Sequence, residues 1–80
     1  MDTYKLTSKA RPRLQSVQET CLYDTMEDLN GRPATLERII KECKYHHFDS
    51  LLKTETIENS VAWHLRNWLK RGIVTKTTLD

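Results

Sequence analysis

Apolar residues recur at intervals of three and four along much of the chain, which is the period of amphipathic helices. A first stripe predicts a helix over residues 13–29, entered at Pro12 and closed by Asn30-Gly31. Its apolar members are Leu14, Val17, Cys21, Leu22, Met26 and Leu29. A second stripe predicts a helix from near Thr35 to about Tyr45; it consists of Leu36, Ile39, Ile40 and Cys43.

The pattern changes after residue 45. Asp49 or the residue before it suits the N-cap of a short helix that contains Leu51 and Leu52. A strong helix is predicted from Glu58 to Arg71, because Lys and Arg at its end match the negative pole of the helix dipole and Gly72 suits the C-cap. Its apolar stripe is Val61, Leu65, Trp68 and Leu69.

Both ends of the sequence favour extended structure. Tyr4 and Leu6 alternate with polar residues, which predicts a short strand or a flexible arm, and residues 73–79 are rich in β-branched side chains. An 80-residue chain is enough for one compact domain. We therefore predict a single, mainly α domain with a minimal β element. Its segments are an arm or strand over 1–12, an extra helix over 13–30, a helix-turn-helix core over 35–72 and a wing strand over 73–79.

Charge is unevenly distributed, although the net charge is only +2. Residues 1–13 and 60–80 are basic, and residues 14–31 are acidic, as expected if one face of a domain meets phosphate.

We expect no signal peptide and no membrane helix, because no apolar run is long enough. Cys21 and Cys43 form no metal-binding or disulfide pattern, so reduced thiols in a cytoplasmic, nucleoid-associated protein are expected, a Cys21–Cys43 disulfide being the alternative.

The stretch from Ser60 to Val74 resembles the recognition helix and wing entry of winged helix-turn-helix domains of prokaryotic transcription repressors. The matching positions are Ser60, Val61, Leu65, Trp68, Gly72, Ile73 and Val74. Upstream, Leu51 takes the place of the buried residue of the preceding helix, and Ile57 that of the apolar residue of the turn. The resemblance covers residues 36–76 and implies sequence-specific binding of double-stranded DNA by a small transcription regulator, with a recognition helix over about 58–71.

Helical geometry turns positions 59, 60, 63, 66, 67 and 70 away from the core if 61, 65, 68, 69 and 72 dock on it. The candidate DNA-binding residues are Asn59, Ser60, Ala62, Trp63, Arg66, Asn67, Lys70, Arg71 and Lys76. Trp63 could instead pack on the N-terminal helix or on a partner, and we expect His64 to lie on the helix surface.

The sequence departs from the family pattern in three places. Glu55-Thr56 stands where the turn usually has a small residue, Glu55 and Glu58 put negative charge near the groove entry, and the wing has no return strand. Tyr4 and Leu6 could supply that strand from the N-terminus, and so could a partner chain. The acids and Trp63 favour an alternative function, a winged-helix protein-interaction module that binds no DNA. An RNA-binding module is less favoured, because no aromatic-rich strand pair is present.

Other chemistry finds little support. Cys43, His46 and His47 have the spacing of ligands on one helix face, but no fourth zinc ligand is evident, and histidines also suit a helix C-terminus. No catalytic or phosphate-binding motif occurs, so we expect no enzyme, no metal, no cofactor and no small-molecule ligand.

A homodimer through helix 13–29 would strengthen DNA binding, the alternative being that this helix completes the monomer core.

Overall fold

The computed structural model describes residues 1–7, 12–29 and 32–78. Within these ranges the chain forms a compact α/β domain of three α-helices, one 3₁₀ turn and a three-stranded antiparallel sheet. The elements in chain order are β1 (Asp2–Leu6), α1 (Val17–Asp28), β2 (Ala34–Thr35), α2 (Leu36–Tyr45), the 3₁₀ turn (Phe48–Leu51), α3 (Ile57–Arg71) and β3 (Val74–Thr78). The predicted helix closure at Asn30-Gly31 and the wing residue Leu79 lie outside the described residues.

The N-terminal strand is the centre of the sheet, whose strand order is β2-β1-β3. On one side Thr3 lies opposite Thr35, and on the other side Leu6 lies opposite Val74. The segment with Tyr4 and Leu6 is therefore a strand, and it pairs with the C-terminal strand β3. A strand at the N-terminus is not the usual order of a winged helix-turn-helix. The sequence did not predict β2, which occupies the expected entry to the second helix.

Helix α1 begins four residues later than predicted. Its N-cap is Ser16, whose hydroxyl accepts a hydrogen bond from the backbone N–H of Glu19 at 3.1 Å. A side-chain cap satisfies an N–H that would otherwise lack a helical partner, so it fixes the start of the helix more firmly than the φ preference of Pro12 does.

Helix α2 follows the prediction, with Thr35 as its N-cap. The short helix expected after it is only a 3₁₀ turn. His47, which precedes this turn, has a left-handed backbone at φ 62°, and Phe48 is the fully buried residue of the turn. Leu51, predicted to be the buried residue of this element, is only half-buried.

Helix α3 packs on the core through the predicted stripe. Val61, Leu65 and Trp68 are at most 1% exposed, and the Trp68 and Tyr23 rings meet edge to face. Ile57, expected in the turn, is instead the first residue of the helix. Gly72 ends the helix at φ 74°, a left-handed conformation that favours glycine. No helix in the described ranges is long and apolar enough to cross a membrane.

Candidate nucleic-acid interface

One face of α3 is exposed along most of its length. Asn59, Trp63, Arg66 and Lys70 all lie on it, as the helical spacing predicts. Ala62 and Asn67 flank this stripe and are half-buried. We call the four exposed residues, with Ala62 and Asn67, the α3 outer face.

Ser60 and His64 do not belong to this face, contrary to the sequence prediction. They are 8% and 7% exposed because α1 packs against that flank of α3. Ser60 Oγ donates to Gln18 Oε1 at 3.1 Å, and His64 Nε2 lies 3.2 Å from the same oxygen. Ser60 is therefore committed to an intramolecular contact and is not available to a DNA base.

Gln18 joins three elements through one amide. Its oxygen accepts hydrogen bonds from the Ser60 hydroxyl and the His64 ring, both on α3. Its Nε2 donates to the carbonyl of Leu51 at 3.2 Å. His64 Nδ1 is buried without a hydrogen-bond partner among the described residues. Burial lowers the pKa of His64, against the opposing charge of Glu19, so the ring is held in its neutral form.

Glu19 fixes the other end of the α1–α3 contact. Its Oε1 accepts from the Trp68 indole at 2.9 Å and from Arg71 Nη1 at 3.0 Å, while Oε2 accepts from the Gln15 N–H at 2.8 Å. Burial acts to raise the pKa of Glu19, but these hydrogen bonds and the Arg71 charge outweigh it, so the pKa lies below its usual value.

Arg71 is consequently a structural residue. Besides its ion pair with Glu19, its Nη2 donates to the carbonyl of Arg13 at 3.0 Å. A buried carboxylate thus compensates the guanidinium charge, and two of the five N–H donors are occupied. Of the predicted cations, Arg66 and Lys70 are the ones that α3 presents freely exposed within the described chain.

Gln18 and Glu19 were not predicted as functional residues, although the sequence contains a signal for Glu19. Ser16-Val17-Gln18-Glu19 has the S-x-x-E spacing of a capping box, in which the glutamate reaches back toward the start of the helix. That motif predicts that α1 begins after Ser16. It also predicts a hydrogen bond from a backbone N–H at the helix start to the Glu19 carboxylate. Nothing in the local sequence shows that Trp68 and Arg71 share the same carboxylate, since they lie 49 and 52 residues away.

Trp63 is the most exposed aromatic residue of α3, at 56%. It is not packed in the core, and the Trp63 and His64 rings meet edge to face, 5.1 Å between centroids. A groove of about 420 Å³ lies on one side of it, between Gln18 and Asn59. On the other side a groove of about 460 Å³ reaches the first turn of α1 and Asn67. The Trp63 side chain thus lines both of these open grooves.

Acidic groups near the start of α3 have different environments. Glu55 turns its carboxylate back onto the loop, where Oε2 accepts from the N–H groups of Lys53 and Thr54, both at 3.1 Å. These backbone hydrogen bonds lower the pKa of Glu55. Glu58 is exposed on the first turn of the helix.

Lys76, the predicted DNA-binding residue of β3, lies 3.4 Å from the Asp2 carboxylate, so its charge is partly compensated.

The histidine and cysteine cluster at the end of α2 is dispersed. Cys43 is fully buried, His46 Nε2 lies 2.8 Å from Asp28 Oδ2, and His47 is exposed. Among the described residues no three or more His, Cys, Asp or Glu side chains are grouped as metal ligands would be. Cys21 and Cys43 are both free thiols.

The apolar stripe of α1, predicted as a dimer surface, is largely used inside the chain. Leu22 and Met26 are at most 2% exposed, and Leu14 packs at the edge of the core. Val17 is the apolar residue that α1 leaves exposed, at 68%. The structure therefore favours the alternative that this helix completes the monomer core.

Comparison of the chain with protein families, with curated proteins and with solved structures gave no match.

Proposed function

We propose that the domain binds double-stranded DNA through the α3 outer face, as a small regulator of transcription. The observation that supports this most is the alignment of Asn59, Trp63, Arg66 and Lys70 on one exposed stripe of a rigidly docked helix. From Asn59 to Lys70 the stripe extends about 16 Å at about 1.5 Å per residue, and a major groove about 12 Å wide admits a helix.

The four residues suit different parts of a duplex. Arg66 can form a bidentate pair with guanine or bind a phosphate, and Asn59 can pair with adenine. Lys70, one turn further along the same stripe, suits the phosphate backbone. Trp63 offers an apolar surface to a thymine methyl or a sugar. Ser60 and Arg71 take no part in this proposal, because Ser60 is bound to Gln18 and Arg71 to Glu19 and Arg13.

The rigid back of α3 supports this assignment. Gln18 and Glu19 hold the helix at two points, and its opposite face packs in the core. Because the helix is already fixed in the free domain, binding costs little conformational entropy there. In this proposal the domain is a variant winged helix-turn-helix, with the 3₁₀ turn and α3 as the reading unit and β1 in place of the return strand.

A salt titration with a fluorescent random duplex tests the proposal. We expect binding at low salt that weakens steeply as salt rises, because Lys and Arg release counterions from phosphate. Arg66→Ala or Lys70→Ala should weaken binding and reduce the salt slope by about one each. Lys41→Ala, the same charge change at an exposed position of α2, is the matched control. Absence of binding at low salt would refute the proposal.

A protein-interaction module is the second candidate. Exposed Trp63 between two grooves, with Glu58 nearby on the first turn of α3, is the observation that favours it. A tryptophan in such a position is a frequent binding hot spot. If duplex binding is absent and Trp63→Ala abolishes recovery of a specific protein partner, this second function replaces the first.

A further inference from the structure

The outer side of β3 is an open sheet edge. Its inner side pairs with β1 over the whole strand, and within the described ranges no other strand lies beside it. The side chains from Thr75 to Thr78 are all exposed, so no helix or loop of the described chain covers this edge.

The register identifies which backbone groups are open. The N–H of Thr7 donates to the carbonyl of Ile73 at 2.9 Å, so these two residues form a hydrogen-bonded pair. Hydrogen-bonded and non-hydrogen-bonded pairs alternate along an antiparallel ladder. Thr75 and Thr77 therefore direct their N–H and C=O groups to β1, whereas Val74, Lys76 and Thr78 direct theirs outward.

The edge has few of the features that prevent edge-to-edge pairing. Proteins protect such edges with proline, bulges or charged side chains, often lysine. The strand sequence Val-Thr-Lys-Thr-Thr has no proline and high β-propensity. Its one charge, on Lys76, lies 3.4 Å from Asp2 of the central strand.

We propose that β3 pairs antiparallel with β3 of a second copy of this chain, with Lys76 opposite Thr78 of the second copy. The two sheets then join into one six-stranded sheet, and the two-fold axis passes between the two Thr77 residues. This inference is independent of the proposed DNA binding.

Charge selects this register. Asp2, Lys76 and Thr78 share one face of the sheet, where Thr78 Oγ1 donates to Asp2 Oδ1 at 2.8 Å. With Lys76 opposite Thr78 of the second copy, the next residue across the sheet is Asp2 of that copy, within reach of the long lysine side chain. A second two-fold register would place Lys76 opposite Lys76 of the second copy. It sets like charges against each other and is disfavoured.

The pairing is small. The two Lys76–Thr78 pairs contribute four backbone hydrogen bonds, and a single strand pair buries less than the roughly 1,200 Å² typical of stable complexes. We therefore expect a weak, reversible dimer that forms at high protein concentration.

Analytical ultracentrifugation at protein concentrations between about 20 µM and 1 mM tests this. The range covers the dissociation constants expected of a weak dimer. The wild-type mass should rise from 9.5 kDa toward twice that value. Lys76→Pro removes one outward N–H and leaves the ladder to β1 intact, so it should stay monomeric with an unchanged circular dichroism spectrum. A wild type that is monomeric throughout, or a Lys76→Pro variant that associates equally, would overturn the proposal.

A charge exchange tests the register. Lys76→Glu and Asp2→Lys proteins should each fail to self-associate, because each brings like charges together across the axis. An equimolar mixture should form a heterodimer, since residue 76 of each copy again meets an opposite charge at position 2 of the other. Lys5→Glu, exposed on the opposite sheet face, is the charge control and should dimerise like wild type. A monomeric mixture beside a dimeric wild type would refute this register.

Discussion

The indole N–H of Trp68 donates to Glu19 Oε1 at 2.9 Å inside the domain, and the same oxygen receives Arg71. One carboxylate therefore links the capping turn of α1 to both the buried and the exposed flank of α3. Because the Glu19 side chain is only 8% exposed, its negative charge depends on these partners.

Replacement of this carboxylate should destabilise the fold. We expect Glu19→Gln to lower the free energy of unfolding by about 2 kcal/mol, because a charge-assisted hydrogen bond to Arg71 is lost. Glu19→Ala should cost more, since the Trp68 indole is then unpaired. Urea denaturation measures both changes.

Glu37→Gln is the matched control, because Glu37 is an exposed carboxylate in the first turn of α2. It should change stability by less than about 1 kcal/mol. Equal effects at both positions would show that the Glu19 network contributes nothing specific.

Acid should destabilise the domain in two steps. The folded pKa of His64 lies below its usual 6.5, so its contribution is complete above that pH and is lost as pH falls through the folded value. The folded pKa of Glu19 lies below its usual 4.5, so its contribution is lost at still lower pH. Unfolding free energies measured from pH 8 to pH 3 should fall in both windows.

His64→Gln separates the two steps. It keeps an N–H donor for Gln18 but cannot titrate, so the decline just below pH 6.5 should disappear while the lower one remains. An unchanged upper decline would mean that His64 does not cause it.

The thiols should differ in reactivity. Burial raises the pKa of Cys43 to about 12, and the residue is 0% exposed. Burial also raises the pKa of Cys21, but this residue is only half-buried and is therefore more accessible than Cys43. A thiol reagent at pH 8 should label Cys21 slowly and Cys43 only after unfolding. Equal labelling of both in the folded protein would contradict this difference in burial.

The two tryptophans should report different environments. Trp63 is 56% exposed and Trp68 is 0% exposed. Acrylamide should quench strongly in a Trp68→Phe variant, where Trp63 alone emits, and weakly in a Trp63→Phe variant. Duplex DNA should change the emission of the first variant and leave that of the second unchanged. A response confined to Trp68 would place the binding site elsewhere.

Sequence reasoning identified the helices because their apolar stripes are long and regular. Strand β2 was missed because two residues carry no detectable alternation. The start predicted for α1 from Pro12 is four residues too early, because the side chain of Ser16 caps the helix.

The outer face of α3 was predictable only in part. Asn59, Arg66 and Lys70 follow from helical spacing alone. The burial of Ser60 and His64 does not, because it depends on Gln18, which lies 42 and 46 residues away in sequence. A helix flank is covered or open according to how another element docks, and local periodicity contains no information on that.

The central position of β1 also determines when the domain can finish folding. Its contact with β3 joins residues 74 positions apart, such as Thr3 and Thr77, whereas the helices form from local contacts. During synthesis the helices can therefore appear on the ribosome while β1 waits for its neighbour. Sheet closure should be the late step in folding, because it must overcome the entropy of closing the longest loop in the domain.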